Sequence, residues 1–247
     1  MDIHDNHFLI TGASSGIGLG LCRKLLAQGA RVTVLDLQQP PADLEDHQSL
    51  NYACCDISNP QQVERTLSHI LDDVGPVHCL VNNAGIMHSE PLVNLLDKNT
   101  PQHSLEAWNK VLSINLTGSF LLARTIASAM VRRRIKGLII NVSSICAQGN
   151  IGQSAYSASK AGLEAMTHVW AKELNPMGIR CCCLAPGFVD TVGAKQALNS
   201  TTLESWISQV PLKRLATIDE LVDGMLFLIQ NDFFNGKVLN LDGVLRI

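Results

Sequence analysis

The chain lacks an excess of either charge. Nineteen Lys and Arg stand against 22 Asp and Glu in 247 residues, a formal charge of -3. That balance leaves no basic surface of the kind a phosphate backbone requires, so no nucleic-acid partner is expected. The chain also lacks any CxxC pair and any HExxH helix. Its eight cysteines and eight histidines are scattered, and Cys181, Cys182 and Cys183 fall consecutively in an apolar run where alternate side chains face opposite ways. Buried, reduced thiols are expected, with neither a disulfide framework nor a metal site. No apolar run approaches the roughly 18 to 20 residues that span a bilayer. Met1-Asp2-Ile3-His4-Asp5 has neither a basic leader nor an apolar signal stretch. The expectation is a cytoplasmic protein with a small-molecule substrate and no membrane partner.

What is present places the chain among globular proteins, at 46% hydrophobic and 17% charged residues. Short β-branched or apolar runs alternate with amphipathic stretches, the pattern of a parallel sheet covered by helices. Strands are predicted at Phe8–Thr11, Arg31–Asp36, Leu50–Cys54, Cys79–Asn82, Leu138–Val142, Ile179–Ala185 and Val238–Leu241. Helices are predicted at Gly18–Gln28, Pro60–Val74, Leu105–Val131, Tyr156–Asn175 and Ile218–Ile229. Without a linker or a break in composition, residues 1–247 read as a single α/β domain, doubly wound about a seven-stranded parallel sheet. Arg132, Arg133, Arg134 and Lys136 follow a helix end, where cations complement the helix dipole.

Thr11-Gly12-Ala13-Ser14-Ser15-Gly16-Ile17-Gly18 links the first strand to the first helix. Glycines there let backbone amides approach a pyrophosphate at the positive end of a helix. Asp36 ends the next strand, 24 residues beyond Gly12. A carboxylate at that place accepts from the ribose hydroxyls of NAD and repels the extra phosphate of NADP, although an aspartate can also simply close a strand. Only two tyrosines occur, and Tyr156 lies four residues before Lys160, on the same helix face. A nearby ammonium favours phenolate and so fits a phenol for proton exchange, but YxxxK alone also occurs in ordinary amphipathic helices.

Taken together and in order, these segments resemble the short-chain dehydrogenase/reductase family over nearly the whole chain. Thr11 to Gly18 matches its TGxxxGxG loop, Asn82-Asn83-Ala84-Gly85 its NNAG motif, and Pro186-Gly187 its PG motif. Asn115, Ser144, Tyr156 and Lys160 match its catalytic tetrad. Ser143 precedes Ser144 and is the competing serine; the family usually uses the second of the pair. The resemblance implies a Rossmann domain, binding of NAD, and hydride transfer between a secondary alcohol or ketone and the nicotinamide. It assigns cofactor contacts to Gly12, Ser14, Ser15, Gly16, Ile17, Gly18, Asp36, Leu37, Asp56, Ile57, Asn83, Ala84, Gly85, Tyr156, Lys160, Pro186, Gly187, Val189 and Thr191. Tyr156 would exchange the proton at the substrate oxygen, Ser144 would hydrogen-bond that oxygen, Lys160 would hold the nicotinamide ribose, and Asn115 would hold a relay water.

Asn115 follows Gly85 by 30 positions, a longer interval than in typical 3-oxoacyl-carrier-protein reductases, with the extra residues around Leu95 to Thr100. That interval and the C-terminal segment Phe234 to Ile247 resemble the type 2 group of 3-hydroxyacyl-CoA and hydroxysteroid dehydrogenases. Phe188 to Pro211 is expected to form an apolar substrate lid. The alternatives are a 3-oxoacyl-carrier-protein reductase and a non-catalytic dinucleotide sensor. A homotetramer or homodimer is implied, built on the two long helices.

Overall fold

Strands covered by helices on both faces must be apolar on both, and the consecutive apolar residues of this chain are divided accordingly between two cores. The computed structural model describes residues 1–44, 47–96, 99–190 and 207–245. Its strands are β1 (His7–Thr11), β2 (Arg31–Asp36), β3 (Leu50–Cys54), β4 (Cys79–Asn82), β5 (Leu138–Val142), β6 (Arg180–Pro186) and β7 (Val238–Leu241). They form one parallel sheet in the order β3-β2-β1-β4-β5-β6-β7. Phe8, Ile10, Val81, Ile140 and Cys182 face α1 (Gly16–Ala27) on one side. Leu9, Leu80, Ile139 and Cys181 face α2 (Pro60–His69) and its neighbours on the other. The three consecutive cysteines are thus one alternating strand segment, and all eight cysteines are free.

The sheet contains the seven predicted strands, with bounds shifted by one residue in β1 and β6. β1 begins at His7, one residue early, because the imidazole is satisfied inside the sheet by Pro76 O at 3.1 Å and Thr33 Oγ1 at 2.7 Å. β6 is shifted by one residue at each end from the predicted Ile179–Ala185, ending at Pro186 and opening on Arg180. Its buried guanidinium donates to the Leu228 and Ile229 carbonyls that end α6 (Ile218–Gln230) and to Phe234 O. Charge is tolerated there because each contact replaces hydration.

The single helix predicted at Leu105–Val131 is three segments: α3 (Leu105–Leu112), a π-helical stretch at Ser113–Gly118 and α4 (Ser119–Arg132). A Cβ on Gly118 would lie 2.9 Å from Ile57 O, so glycine lets α4 approach the loop after β3. Contrary to the expectation from apolar runs, Leu105–Arg132 is long and apolar enough to cross a membrane by length and composition. Half of its most apolar window is buried inside the fold, as in the core helix of a globular domain. α5 (Ser154–Leu174) starts two residues before the predicted Tyr156.

Candidate active site

The chain runs from β1 outward to β3, then crosses back to β4 on the other side of β1. This reversal opens a crevice at the C-terminal ends of β1 and β4, where sheets of this kind bind their ligands. Gly12 has φ +65° there, and a Cβ on it would lie 2.8 Å from the Ala84 Cα. A Cβ on Gly18 would lie 2.6 Å from Asn83 Nδ2. The two glycines therefore allow the glycine loop and the Asn83 loop to close on each other. Asn83 Nδ2 donates to Thr11 O and Gly12 O, both at 2.9 Å. Thr11 Oγ1 accepts from the Asn83 and Ala84 amides at 3.0 and 2.9 Å. Thr11 is thus a positioning residue absent from the sequence assignment, although it opens the very motif that was read.

A cleft of about 510 Å³ runs along these loops, bordered by Gly12, Ser15, Gly16, Ile17 and Ala84 at one end and Asp36, Leu37, Asp56 and Ile57 at the other. Gly16 has φ +56° and nothing within 4 Å of where its Cβ would stand. Ser15 begins α1 without a side-chain cap, which leaves first-turn amides available to an anion. Asp36 is fixed in the wall, its two oxygens accepting from the Ser14 amide at 3.0 Å and the Gln38 amide at 3.1 Å. The Asp56 carboxylate accepts from Ser58 N and Oγ, and Ile57 is buried. Open backbone donors at one end and a held carboxylate at the other fit a dinucleotide.

A second cleft of about 240 Å³ joins the first through Ile17, Asn83, Gly85 and Ile86. It brings Ser144, Tyr156, Lys160, Pro186, Gly187 and Val189 together. Lys160 is buried and donates from Nζ to Val142 O at 2.8 Å. Ser143 is turned to structural use, its hydroxyl donating to Glu164 Oε1 at 2.8 Å and Lys160 O at 3.1 Å. Ser144 lies beside Tyr156, and its Oγ accepts from the Cys146 amide at 3.2 Å. Gly187 is required where Asp242 packs on it, since a Cβ would lie 2.7 Å from the Asp242 Cα. Thr191 falls within residues 191–206 of the expected lid, which lie outside the described residues.

One expectation needs correcting. The phenol lies above its ordinary value and not below it, although Lys160 Nζ lies over the ring, 5.6 Å from the centroid. Burial pushes Tyr156 up to about 12, with the Ser144 hydroxyl pulling the other way. Burial also pushes Lys160 down to about 8. The Asn115 side chain bonds to protein groups. Its Oδ1 accepts from Ile86 N at 2.8 Å, and its Nδ2 donates to Ile86 O at 2.9 Å and Ser159 Oγ at 3.1 Å. Asn115 thereby staples the strand-end loop to α5, and Ser159, which the sequence reading passed over, completes the staple.

Known proteins are similar to this chain over most of its length. Residues 6–202 match the family model described as short chain dehydrogenase. The chain is 35% identical to the 3-hydroxyacyl-CoA dehydrogenase type-2 of Bos taurus, covering 97% of this chain and 94% of the other. It is 33% identical to the 3-oxoacyl-[acyl-carrier-protein] reductase of Thermotoga maritima, covering 97% of each. It is 32% identical to the sorbitol-6-phosphate 2-dehydrogenase of Klebsiella pneumoniae, covering 98% of this chain and 97% of the other. With its parallel sheet, its glycine crevice and a match across most of its length, this chain belongs to the short-chain dehydrogenase family, whose members are oxidoreductases acting on CH–OH groups with a nicotinamide cofactor.

Proposed function

We propose that this protein is an NAD-dependent dehydrogenase that interconverts a secondary alcohol and a ketone on a bulky apolar substrate of the 3-hydroxyacyl-CoA or hydroxysteroid class. The observation that carries the cofactor choice is the Asp36 carboxylate, held by two backbone amides in the cleft wall. Its fixed negative charge accepts hydrogen bonds from ribose hydroxyls and opposes a phosphate at the same place. The substrate class draws support from the relatives named 3-hydroxyacyl-CoA dehydrogenase type-2.

When bound, the nicotinamide supplies the hydride donor or acceptor and, when oxidised, a positive ring. The chain supplies the proton chemistry and the positioning. Tyr156, protonated at neutral pH, donates to the oxygen that gains charge as a ketone is reduced; in the reverse direction its phenolate accepts the proton. Ser144 donates a hydrogen bond to the same oxygen, stabilising its developing charge. Lys160 holds a cation over the Tyr156 ring from α5, fixed by Val142 O. Asn115 keeps the Ile86 loop and α5 in register, so that these groups meet one substrate atom.

One matrix of kinetics tests this reading: NAD(H) and NADP(H), each against 3-oxoacyl thioesters of increasing length, a steroid ketone and a small polar ketone. Catalytic efficiency is expected to favour NAD(H), and Asp36→Ala to narrow the difference. Efficiency is expected to rise with acyl length, because each added methylene buried contributes up to about 0.8 kcal/mol. A preference for NADPH with carrier-protein thioesters would replace this reading by the reductase one, which the relatives of that name keep open.

We propose further that the protein is a homodimer or homotetramer built on α4 and α5. Phe120, Val131 and Val169 are exposed on these two helices, beside a groove of about 400 Å³ that Trp170 and Leu174 also border. A second copy would cover this apolar face. Sedimentation as a monomer at micromolar concentration would exclude it.

A further inference from the structure

The eight histidines are scattered in sequence, yet the fold gathers His88, Glu90 and His103 at one point. One candidate ligand atom from each lies within 4.8 Å of the other two. His88 Nε2 is 3.1 Å from Glu90 Oε2, and His103 Nδ1 is 3.5 Å from the same oxygen. Ligands about 2.0 to 2.1 Å from a tetrahedral zinc ion stand roughly 3.4 Å apart, so these two separations bracket what such an ion requires. The imidazole rings are crossed at 73° with centroids 5.8 Å apart.

The point is built by the long interval between β4 and α3, and it is pinned on several sides. Glu90 N donates to Gly152 O at 2.7 Å. Val93 pairs with Gln102, and His103 N donates to Leu92 O at 3.1 Å, which returns His103 to the side of His88. The amide of Ser104, the cap of α3, donates to Glu90 Oε2 at 3.0 Å and orients the carboxylate. Outer contacts of this kind fix ligands in metal sites. The His103 side chain is 8% exposed, Glu90 27% and His88 40%, so the cluster is closed behind and open toward solvent.

We propose that His88, Glu90 and His103 form a binding site for a divalent transition-metal ion of the zinc class, with solvent completing the coordination. Two imidazoles and one carboxylate are the ligand types that zinc accepts, and hard oxygen-seeking cations are poorly served by them. A cation would take the place of the hydrogens now shared within the cluster, including the one between His103 Nδ1 and Ser104 O at 3.0 Å. The site lies beside the catalytic cleft and does not enter it. Gln153 Nε2 reaches Met87 Sδ at 3.2 Å and Ser89 Oγ at 3.3 Å, and Met87 borders the cleft with Tyr156. A bound ion would close the interval after β4 on itself, beside its contacts with Gly152 and Gln153, and so fix one wall of the substrate cleft.

The test uses the full-length protein, stripped with a chelator and kept reduced by a phosphine. Titration with Co²⁺ alone is expected to give one equivalent of binding, with a visible spectrum of nitrogen and oxygen ligands, displaced by Zn²⁺. Zn²⁺ is expected to raise the Tm of the parent protein. In His88→Ala and Glu90→Gln the affinity is expected to fall at least 10- to 100-fold, and the Tm response to vanish. His88 is partly exposed, so its variant should keep a native circular dichroism spectrum. Any one of three results overturns the proposal: no saturable binding, unchanged affinity in folded His88→Ala, or a thiolate charge-transfer band placing the ion on a cysteine such as the exposed Cys54.

Discussion

Tyr156→Phe is expected to fold, to bind the dinucleotide like the parent, and to lose turnover by roughly 10² to 10⁴, the range for loss of a general acid or base. Only the hydroxyl is removed, while the ring, its contact with Lys160 and the helix around it remain. Because burial holds the phenol at about 12, the resting side chain is the acid form. Reduction can therefore draw on a proton already in place, whereas oxidation first requires a positive charge beside the phenol to ease its release. Stopped-flow cofactor binding together with steady-state rates in both directions would check this. Near-parental turnover would remove Tyr156 from the mechanism. Dinucleotide binding with no turnover on any substrate, in the parent as well, would favour the sensor reading instead.

Lys160→Met is expected to separate stability from function. Burial pushes this ammonium from 10.5 down to about 8. At 1.36 kcal/mol per pH unit, the buried charge costs roughly 3 kcal/mol at neutral pH. Methionine removes that cost at similar length but gives up the 2.8 Å hydrogen bond to Val142 O, worth about 1.5 to 3 kcal/mol for a charged donor. The variant should therefore be as stable as the parent or slightly more so, while turnover falls on the order of 10² through lost positioning.

The pH dependence has a definite sign. Between about 8 and 10.5 the unfolded chain keeps a proton on this lysine that the folded chain has released, so the contribution of Lys160 to stability rises with pH across that window. The buried thiols act oppositely, since burial raises Cys22 to about 11 and Cys181 to about 12. Both proteins contain those thiols, so the difference between their urea stabilities at pH 7 and pH 10 isolates the lysine. An Lys160→Met variant that is strongly destabilised at pH 7, or that retains full turnover, would contradict the account.

Much of this protein is determined locally, and those parts are legible in the chain. Strand period, strand-end glycines and the Tyr156 to Lys160 spacing are properties of a few neighbouring residues, so β2 to β5 and the crevice motifs can be located without coordinates. Even Cys181-Cys182-Cys183 reads correctly, because alternation along a strand depends only on backbone geometry. The departures occur where distant segments meet. Arg180 reads as a charge inside an apolar strand, with no partner nearby in sequence, until the carbonyls ending α6 accept its guanidinium. The Leu105–Val131 pattern reads as one continuous helix until close packing of Gly118 on Ile57 accompanies a π-helical stretch at Asn115. Likewise, the i, i+4 rule puts Lys160 on the face of Tyr156 but cannot say that its ammonium bonds to Val142 O over the ring, or that burial sets the direction of the phenol's shift. His88, Glu90 and His103 lie up to 15 positions apart and carry no spacing signal. Only the return of the chain from Val93 to Gln102 brings them together, because contact between residues distant in sequence is decided by the path of the backbone in three dimensions.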